Sequence, residues 1–300
     1  MPSVRNRAGS RRPNLTGYHR AVRSLAVLVV CWFTACAPKP AACPALPIVT
    51  QGPAFLWKVH KDAGPTLWLY GTVHDVALAG VPAPALAALD GAKVFASELG
   101  DVDADPETVR DLTRYKSGLG IDQTLPDGDW YALRDALIGT IKEDSLRRVR
   151  PWYAMILLNN KVSPNKPVAM DTDLAKRARS KKLPVEPLET WAEQMTALDK
   201  VVTVKDLSDV IHARDAMHCE VDRLAVAYRT GDIELMTSLL IVPQTSEPLL
   251  WARNRAWQPK LLTYLAAQGA FVAVGLAHML GDNGLPAMLA RAGYTVERVP

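Results

Sequence analysis

Apolar residues follow two patterns along the chain, short uninterrupted runs and longer stretches with helical spacing. The short runs predict strands, because a strand that is buried on both faces needs apolar side chains at every position. Turn residues in segment 61–65, including Gly64 and Pro65, predict a hairpin between the first two runs. The predicted strands are residues 55–60, 66–70, 93–96, 183–189, 271–274 and 295–299.

Stretches with a 3.6-residue apolar period predict helices, most of them in the middle of the chain. Thr190 and Glu193 have the spacing of a capping box, and Asp171 and Asp173 are interpreted as the cap of a helix beginning at Leu174. The last thirty residues show the order strand, loop, helix, strand, which is a βαβ unit and predicts an α/β fold. The predicted helices are residues 83–89, 106–115, 130–142, 151–158, 174–180, 192–199, 210–230, 235–240, 249–265 and 285–292.

The first 36 residues differ from the rest and predict a signal peptide. They contain six arginines and no acidic residue, followed by an apolar run at 24–35 that is too short for a membrane-spanning helix. The run ends in Phe33-Thr34-Ala35-Cys36, which resembles a bacterial lipobox and predicts a lipid on Cys36. Phe33 departs from that pattern, so simple cleavage nearby is the alternative. We expect an exported protein, lipid-anchored to a bacterial membrane and facing the periplasm or cell surface.

Residues 37–53 are rich in proline and alanine and predict an extended tether, which leaves residues 54–300 as the folded domain. The formal net charge of +4 comes from the leader, and removing its six arginines leaves −2. No basic patch remains, so we expect no nucleic-acid partner. Cys43 and Cys219 would lie in an oxidising compartment. One possibility is a disulfide between them. The other is a loose Cys43 and a buried, free Cys219, and the sequence leaves both open.

Two Gly-x-x-His motifs carry the candidate chemistry. Each follows an apolar run, and they place His74 and His278 where a strand gives way to a loop. Glu98 follows a third predicted strand. Two imidazoles and a carboxylate could hold a divalent metal ion with open positions for water and substrate, or could act as acid–base groups without metal. The structural alternative is that these are ordinary residues at strand ends, without a chemical role.

Arg253 and Trp257 lie four residues apart, on one face of a predicted helix. The functional interpretation directs Arg253 at a developing oxyanion or a substrate carboxylate. The structural alternative, which periodicity favours, places the arginines in solvent and the tryptophans in the core. His212 and His218 with Cys219 are interpreted as structural or exposed, because the histidines are six residues apart.

Together these segments resemble the TraB/GumN family, which is related to the Tiki proteases and to the erythromycin-esterase and ChaN-like superfamily. They span most of residues 54–300. The segments are residues 56–59, 69–74, 81–92, 97–98, 170–175 and 184–190, Gln194, the pair Arg253-Asn254, and residues 271–299.

The resemblance implies a single α/β domain with a central mixed β-sheet flanked by helices and a largely helical middle insertion, as in erythromycin-esterase and ChaN-like proteins. It implies a site built from His74, Glu98 and His278, with Arg253 matching the family's Arg-Asn pair. Asp75 departs from the family pattern, which has a small or apolar residue there, and it could ligate or orient His74.

Because Tiki proteins are metal-dependent proteases, we expect a metal-dependent, peptidase-like hydrolase. His74, Glu98 and His278 would hold Mn²⁺, Co²⁺ or Zn²⁺ and its water, Arg253 would stabilise the attacked carbonyl, and the substrate would be a peptide or a small molecule. The alternative is a non-enzymatic envelope protein that binds a ligand such as haem or assists exopolysaccharide export.

Overall fold

The structure, a computed structural model, describes residues 43, 45–74, 76–100, 105–162 and 170–300. The predicted signal peptide, the proposed lipid site at Cys36 and Asp75 lie outside the described residues. Residues from Cys43 to Pro300 belong to one compact unit. Within the described part of the chain, no helix is long and apolar enough to cross a membrane.

The centre of the unit is a mixed sheet with the strand order β4-β3-β5-β2-β1-β6. Neighbouring strands from β4 to β2 are parallel, whereas β1 is antiparallel to both β2 and β6. The predicted hairpin is therefore present, and the α/β fold class with a central mixed sheet is confirmed. The strands are β1 Leu56–His60, β2 Leu67–Thr72, β3 Phe95–Ser97, β4 Val185–Pro187, β5 Ala270–Gly275 and β6 Thr295–Arg298.

Helices fill most of the chain between the strands. Short 3₁₀ segments lie at Leu78–Gly80, Arg214–Ala216 and Leu276–Met279, and a π-helical turn, Glu247–Trp251, precedes α13. The helices are α1 Ala83–Asp90, α2 Pro106–Thr113, α3 Ile121–Thr124, α4 Asp127–Ala136, α5 Glu143–Leu146, α6 Pro151–Val162, α7 Met170–Ser180, α8 Trp191–Val201, α9 Val204–Ala213, α10 Met217–Thr230, α11 Ile233–Leu240, α12 Pro243–Ser246, α13 Ala252–Ala267 and α14 Leu285–Arg291.

The largest differences between the predicted helices and the structure lie at two places in the middle of the chain. The helix expected at 130–142 ends at Ala136, and Gly139 just beyond it has a φ of 78°, which a right-handed helix does not contain. The helix expected at 210–230 is divided into α9 and α10. Thr203 caps the first of these through the backbone N–H of Asp206, so α9 begins at Val204.

The hydrophobic core has two parts. The larger part surrounds the sheet, and β5 lies at its centre with Phe271, Val272 and Val274 fully buried. A second cluster holds the middle helices together, with Leu133 of α4 and Ile211 of α9 among its buried members. The middle of the chain therefore packs on its own apolar side chains, as expected of a largely helical insertion.

A disulfide joins Cys43 to Cys219 of α10, with Cα atoms 5.3 Å apart. This decides between the two alternatives for these cysteines. The segment that follows Cys43 is also attached to the end of α10, because the backbone N–H of Gly52 donates to the carbonyl of Arg229. The Arg298 guanidinium donates to the carbonyls of Pro53 and Ala54.

Candidate functional site at the carboxyl edge of the sheet

Three adjacent parallel strands, β3, β5 and β2, end at one edge of the sheet. Glu98, His278 and His74 follow those three ends, which is where ligands bind in sheets of this kind. The strands and their loops approach closely because Gly71 has no side chain. A Cβ atom there would lie 3.2 Å from the Cα atom of Leu276.

Glu98 is surrounded by donors. Its Oε1 accepts the backbone N–H of Gly275 at 2.9 Å, and its Oε2 accepts the Gln194 amide at 2.7 Å. The Arg253 guanidinium also donates to Oε2. Gly275 permits this arrangement, since a Cβ atom on that residue would lie 3.3 Å from Oε1. The second Gly-x-x-His motif therefore supplies a backbone donor to Glu98 as well as the imidazole of His278.

His278 is buried, and its tautomer follows from its partners. The amide nitrogen of Asn254 donates to the carbonyls of His278 and Asn283, so the amide oxygen is left to accept from the Nδ1–H of His278 at 2.7 Å. Nε2 then accepts from Arg253 at 3.1 Å. The ring also packs against the Trp257 indole, with a centroid distance of 4.5 Å. His278 is thus held as a neutral imidazole.

Arg253 connects these groups, and all five of its N–H bonds have an acceptor. Nε–H donates to Glu189 at 3.0 Å, Nη1 donates to His278 and to the Leu249 carbonyl, and Nη2 donates to Glu98 and to Glu189. Its side chain is 14 % exposed. The interpretation of Arg253 as a solvent-facing helix residue is therefore wrong, because this side chain lies in a mostly buried ionic network.

Burial and charge fix the protonation states. Burial opposes ionisation of Glu98, yet the charges of His278 and Arg253 and the Gly275 N–H hold its pKa at about 2. Burial lowers the pKa of His278 to about 3. Since His278 is then neutral at pH 7, Arg253 is the cation that keeps Glu98 ionised there. Burial raises the pKa of Glu189, against the attraction of Arg253.

His74 belongs to a more accessible group at the same edge. Its Nδ1 lies 2.9 Å from Oδ2 of Asp171, and its side chain is 71 % exposed. The Thr72 hydroxyl at the end of β2 donates to the other oxygen of Asp171. Asp171 was expected to be a helix cap, but it lies in the first turn of α7 and binds Thr72 and His74 instead.

The fit of a divalent metal ion depends on these donors. No group of three or more His, Cys, Asp or Glu side chains suited to hold a metal is found in the described ranges. Both oxygens of Glu98 accept hydrogen bonds, and Nε2 of His278 faces the Arg253 guanidinium. An ion between them would meet the positive charge of Arg253, so this arrangement does not fit a metal. The metal predicted on His74, Glu98 and His278 stays a prediction.

Comparison with known proteins identifies the family. A model of the TraB/PrgY/gumN family matches residues 55–298, which is most of the chain. The chain belongs to the TraB/PrgY/gumN family. No curated protein and no solved structure matches it. The resemblance that the sequence motifs suggested is thereby confirmed, and the TraB/PrgY/gumN match includes both Gly-x-x-His motifs, Glu98 and Arg253.

Two carboxylate partners of the site were not predicted as site residues. Glu189 lies two residues beyond the end of β4, and it accepts from the Arg253 guanidinium and, at 3.3 Å, from the Trp257 indole N–H. Asp171 is one of two aspartates in the Met-Asp-Thr-Asp segment. Both lie in segments that resemble the TraB/PrgY/gumN family. Their place in these segments was the signal that could have identified them, because the pattern of apolar residues does not distinguish either position.

His212, from the second group of histidine candidates, contacts an aspartate of a neighbouring helix. Nε2 of His212 lies 2.8 Å from Oδ1 of Asp129, and the Ser208 hydroxyl donates to the other carboxylate oxygen. Asp129 is buried and belongs to α4, whereas its partners belong to α9. These bonds join two helices of the middle region of this TraB/PrgY/gumN protein.

Proposed function

We propose that this TraB/PrgY/gumN protein is a cell-envelope hydrolase of peptide-like amide bonds in which His74 is the general base. The observation that carries the proposal is the His74–Asp171 pair, an accessible imidazole held by a carboxylate beyond the carboxyl ends of parallel strands. An imidazole held in this way can accept a proton from water and return it to a leaving group.

The contact with Asp171 gives the direction of proton transfer. Nδ1–H donates to the carboxylate, so Nε2 is the basic nitrogen of His74. In the proposed reaction, Nε2 takes a proton from a water molecule while the water oxygen attacks the substrate carbonyl. Asp171, itself oriented by Thr72, stabilises the imidazolium. The tetrahedral oxyanion then reforms the carbonyl as the C–N bond breaks, and His74 returns the proton to the leaving amine, so bonds and protons balance.

Arg253 has a positioning role in this proposal. Its five N–H bonds are all directed at protein acceptors, so direct contact with a developing oxyanion, as the sequence suggested, would need one of them to break. Arg253 instead fixes Glu98 as a carboxylate and donates to neutral His278. Those two side chains hold the loops after β3 and β5 in place beside His74.

A groove with a volume of ≈ 510 Å³ adjoins the Arg253 network, and His74 and Asp171 are not among its lining residues. It lies between α8 and the beginning of α13, and Arg253 and Glu189 form part of its wall. Small or apolar residues make up much of the remainder, which suits an extended chain with a few polar contacts. Its lining includes Leu188, Ala192, Thr196, Ala197, Pro248, Ala252, Ala256 and Trp257.

The metal-dependent form of the hydrolase predicted from the sequence requires Arg253 to leave Glu98 and His278 before an ion can bind. It differs from the metal-free form in one observable, since chelation would abolish activity and Mn²⁺, Co²⁺ or Zn²⁺ would restore it. The non-enzymatic alternative differs in another, since a haem binder would develop a Soret band on titration.

The experiment is a hydrolysis screen with internally quenched peptides and a matched set of esters, in the presence of a chelator. We expect peptide cleavage by the parent and a loss of roughly 10²- to 10⁴-fold in His74→Asn. His60→Asn is the matched control, because His60 ends β1, which runs antiparallel and finishes at the opposite edge. Equal rates in His74→Asn and the parent would refute His74 as the base, and failure of every substrate in the screen would count against the hydrolase.

A further inference from the structure

A pocket separate from the Glu98 network lies between the start of α13 and α14. Its volume is ≈ 280 Å³, and it is lined mainly by side chains that donate hydrogen bonds. None of its lining residues in the described structure is acidic. They are Trp251, Arg255, Gln258, Asn283, Met288, Arg291 and Ala292.

The indole of Trp251 provides the second observation. Its Nε1–H is buried and has no hydrogen-bond acceptor within the described residues. An indole nitrogen can only donate, and leaving a buried donor unsatisfied costs roughly 1–3 kcal/mol. Trp251 also closes the π-helical turn Glu247–Trp251, a kind of irregularity that recurs at functional sites. Trp251 lines the pocket, but this nitrogen is itself covered by protein atoms, so a ligand acceptor reaches it only when the indole turns toward the pocket.

The two arginines of the pocket set the charge of that ligand. Arg291 donates to the Asp282 carbonyl, so its guanidinium is held in position without a neutralising carboxylate in that bond. Arg255 pairs with Glu247, but both side chains are 54 % exposed, and such a pair is weak in water. Two guanidinium groups, an indole N–H and two amides together suit an oxyanion.

We propose that this pocket binds a small organic molecule through a carboxylate or phosphate group. Arg291 and Arg255 donate to the anionic oxygens, and the Trp251 indole turns so that its N–H donates to the same group or to a neighbouring oxygen. The apolar wall formed by Met288 contacts the body of the ligand. The site does not involve His74, Glu98 or His278, so it is independent of the hydrolytic proposal.

The test follows the indole N–H signal of Trp251 by NMR in the full-length protein, with the signal assigned through Trp251→Phe. The probes are glutarate, its uncharged diamide glutaramide, and inorganic phosphate. We expect glutarate or phosphate to shift this signal and glutaramide to leave it in place. A response to glutarate alone identifies a carboxylate site, and a response to phosphate alone identifies a phosphate site.

Arg291→Gln should weaken the binding of the active probe at least roughly tenfold, since it removes a charged donor. The matched control is Arg110→Gln, an exposed arginine of α2 that pairs with Glu107. Arg291 is exposed, so its replacement should leave the fold intact. The proposal is overturned if neither anion moves the Trp251 signal at millimolar concentration, or if both variants bind the probe equally.

Discussion

Replacing Arg253 with methionine removes the cation that lies between two largely buried carboxylates. Methionine keeps much of the length and apolar character of the side chain but has no donor. Glu98 would retain the Gly275 N–H and the Gln194 amide. Glu189 would retain only the Trp257 indole among the side-chain donors described here. Glu189 therefore loses more of its hydrogen bonds and charge pairing than Glu98 does, and its side chain is only 4 % exposed.

The expected cost follows from leaving buried charge unpaired. Removing one partner of a buried ion pair typically costs about 3–5 kcal/mol, and we expect Arg253→Met to lie in that range at pH 7. Adding Glu189→Gln to this variant removes one of the unpaired carboxylates. It should restore about 1 kcal/mol or more, because the two positions are directly coupled.

Urea unfolding, followed by far-ultraviolet circular dichroism, measures these differences. The control is Arg255→Met, which makes the same change on the same helix but affects an exposed pair with Glu247. That variant should lose less than about 1 kcal/mol. If Arg253→Met and Arg255→Met lose the same free energy of unfolding, the assignment of Arg253 to a buried, energetically important network is wrong.

Two further predictions concern His278 and the disulfide. The pKa of His278 is lowered in the folded state from 6.5 to about 3, so the unfolded chain takes up the proton first as the pH falls. The free energy of unfolding should therefore decrease below pH 6.5, by about 2 kcal/mol at pH 5, whereas the contribution of Glu98 is lost only at lower pH. Urea titrations at both pH values check this, and a His278→Asn variant with the same pH slope would contradict it. Reduction of the Cys43–Cys219 disulfide should lower the free energy of unfolding by about 2–5 kcal/mol. The same reductant should not change the stability of Cys219→Ser, which has no disulfide to lose. A thermal melt in reductant tests this, and an unchanged midpoint with both thiols titratable would contradict it.

The sequence predicted the sheet well because its signals are local. Buried strands appear as uninterrupted apolar runs, and the capping box of Thr190 and Glu193 is present as expected, with Glu193 accepting the Thr190 backbone N–H at 2.7 Å. The glycine of each Gly-x-x-His motif could also be interpreted in advance. The backbone of Leu276 comes close to Gly71, and the carboxylate of Glu98 comes close to Gly275.

The partners in the site could not be predicted in the same way. Arg253 meets Glu98 across 155 positions of sequence, and His74 meets Asp171 across 97. Neither apolar periodicity nor cap spacing carries information at that distance. Asp171 is an example, since an aspartate near the start of a helix is ordinarily a cap. Here the end of β2 and the loop after it bring Thr72 and His74 into contact with Asp171.

The central structural claim is that Arg253, rather than a metal ion, supplies the positive charge between Glu98 and His278. The most direct test is metal analysis of the purified protein after incubation with Mn²⁺, Co²⁺ or Zn²⁺ and desalting, beside Arg253→Met and the double variant His74→Ala, His278→Ala. We predict no stoichiometric metal in the parent. One ion per chain in the parent, absent from a folded double variant, would contradict the claim and establish the metal site predicted from the sequence.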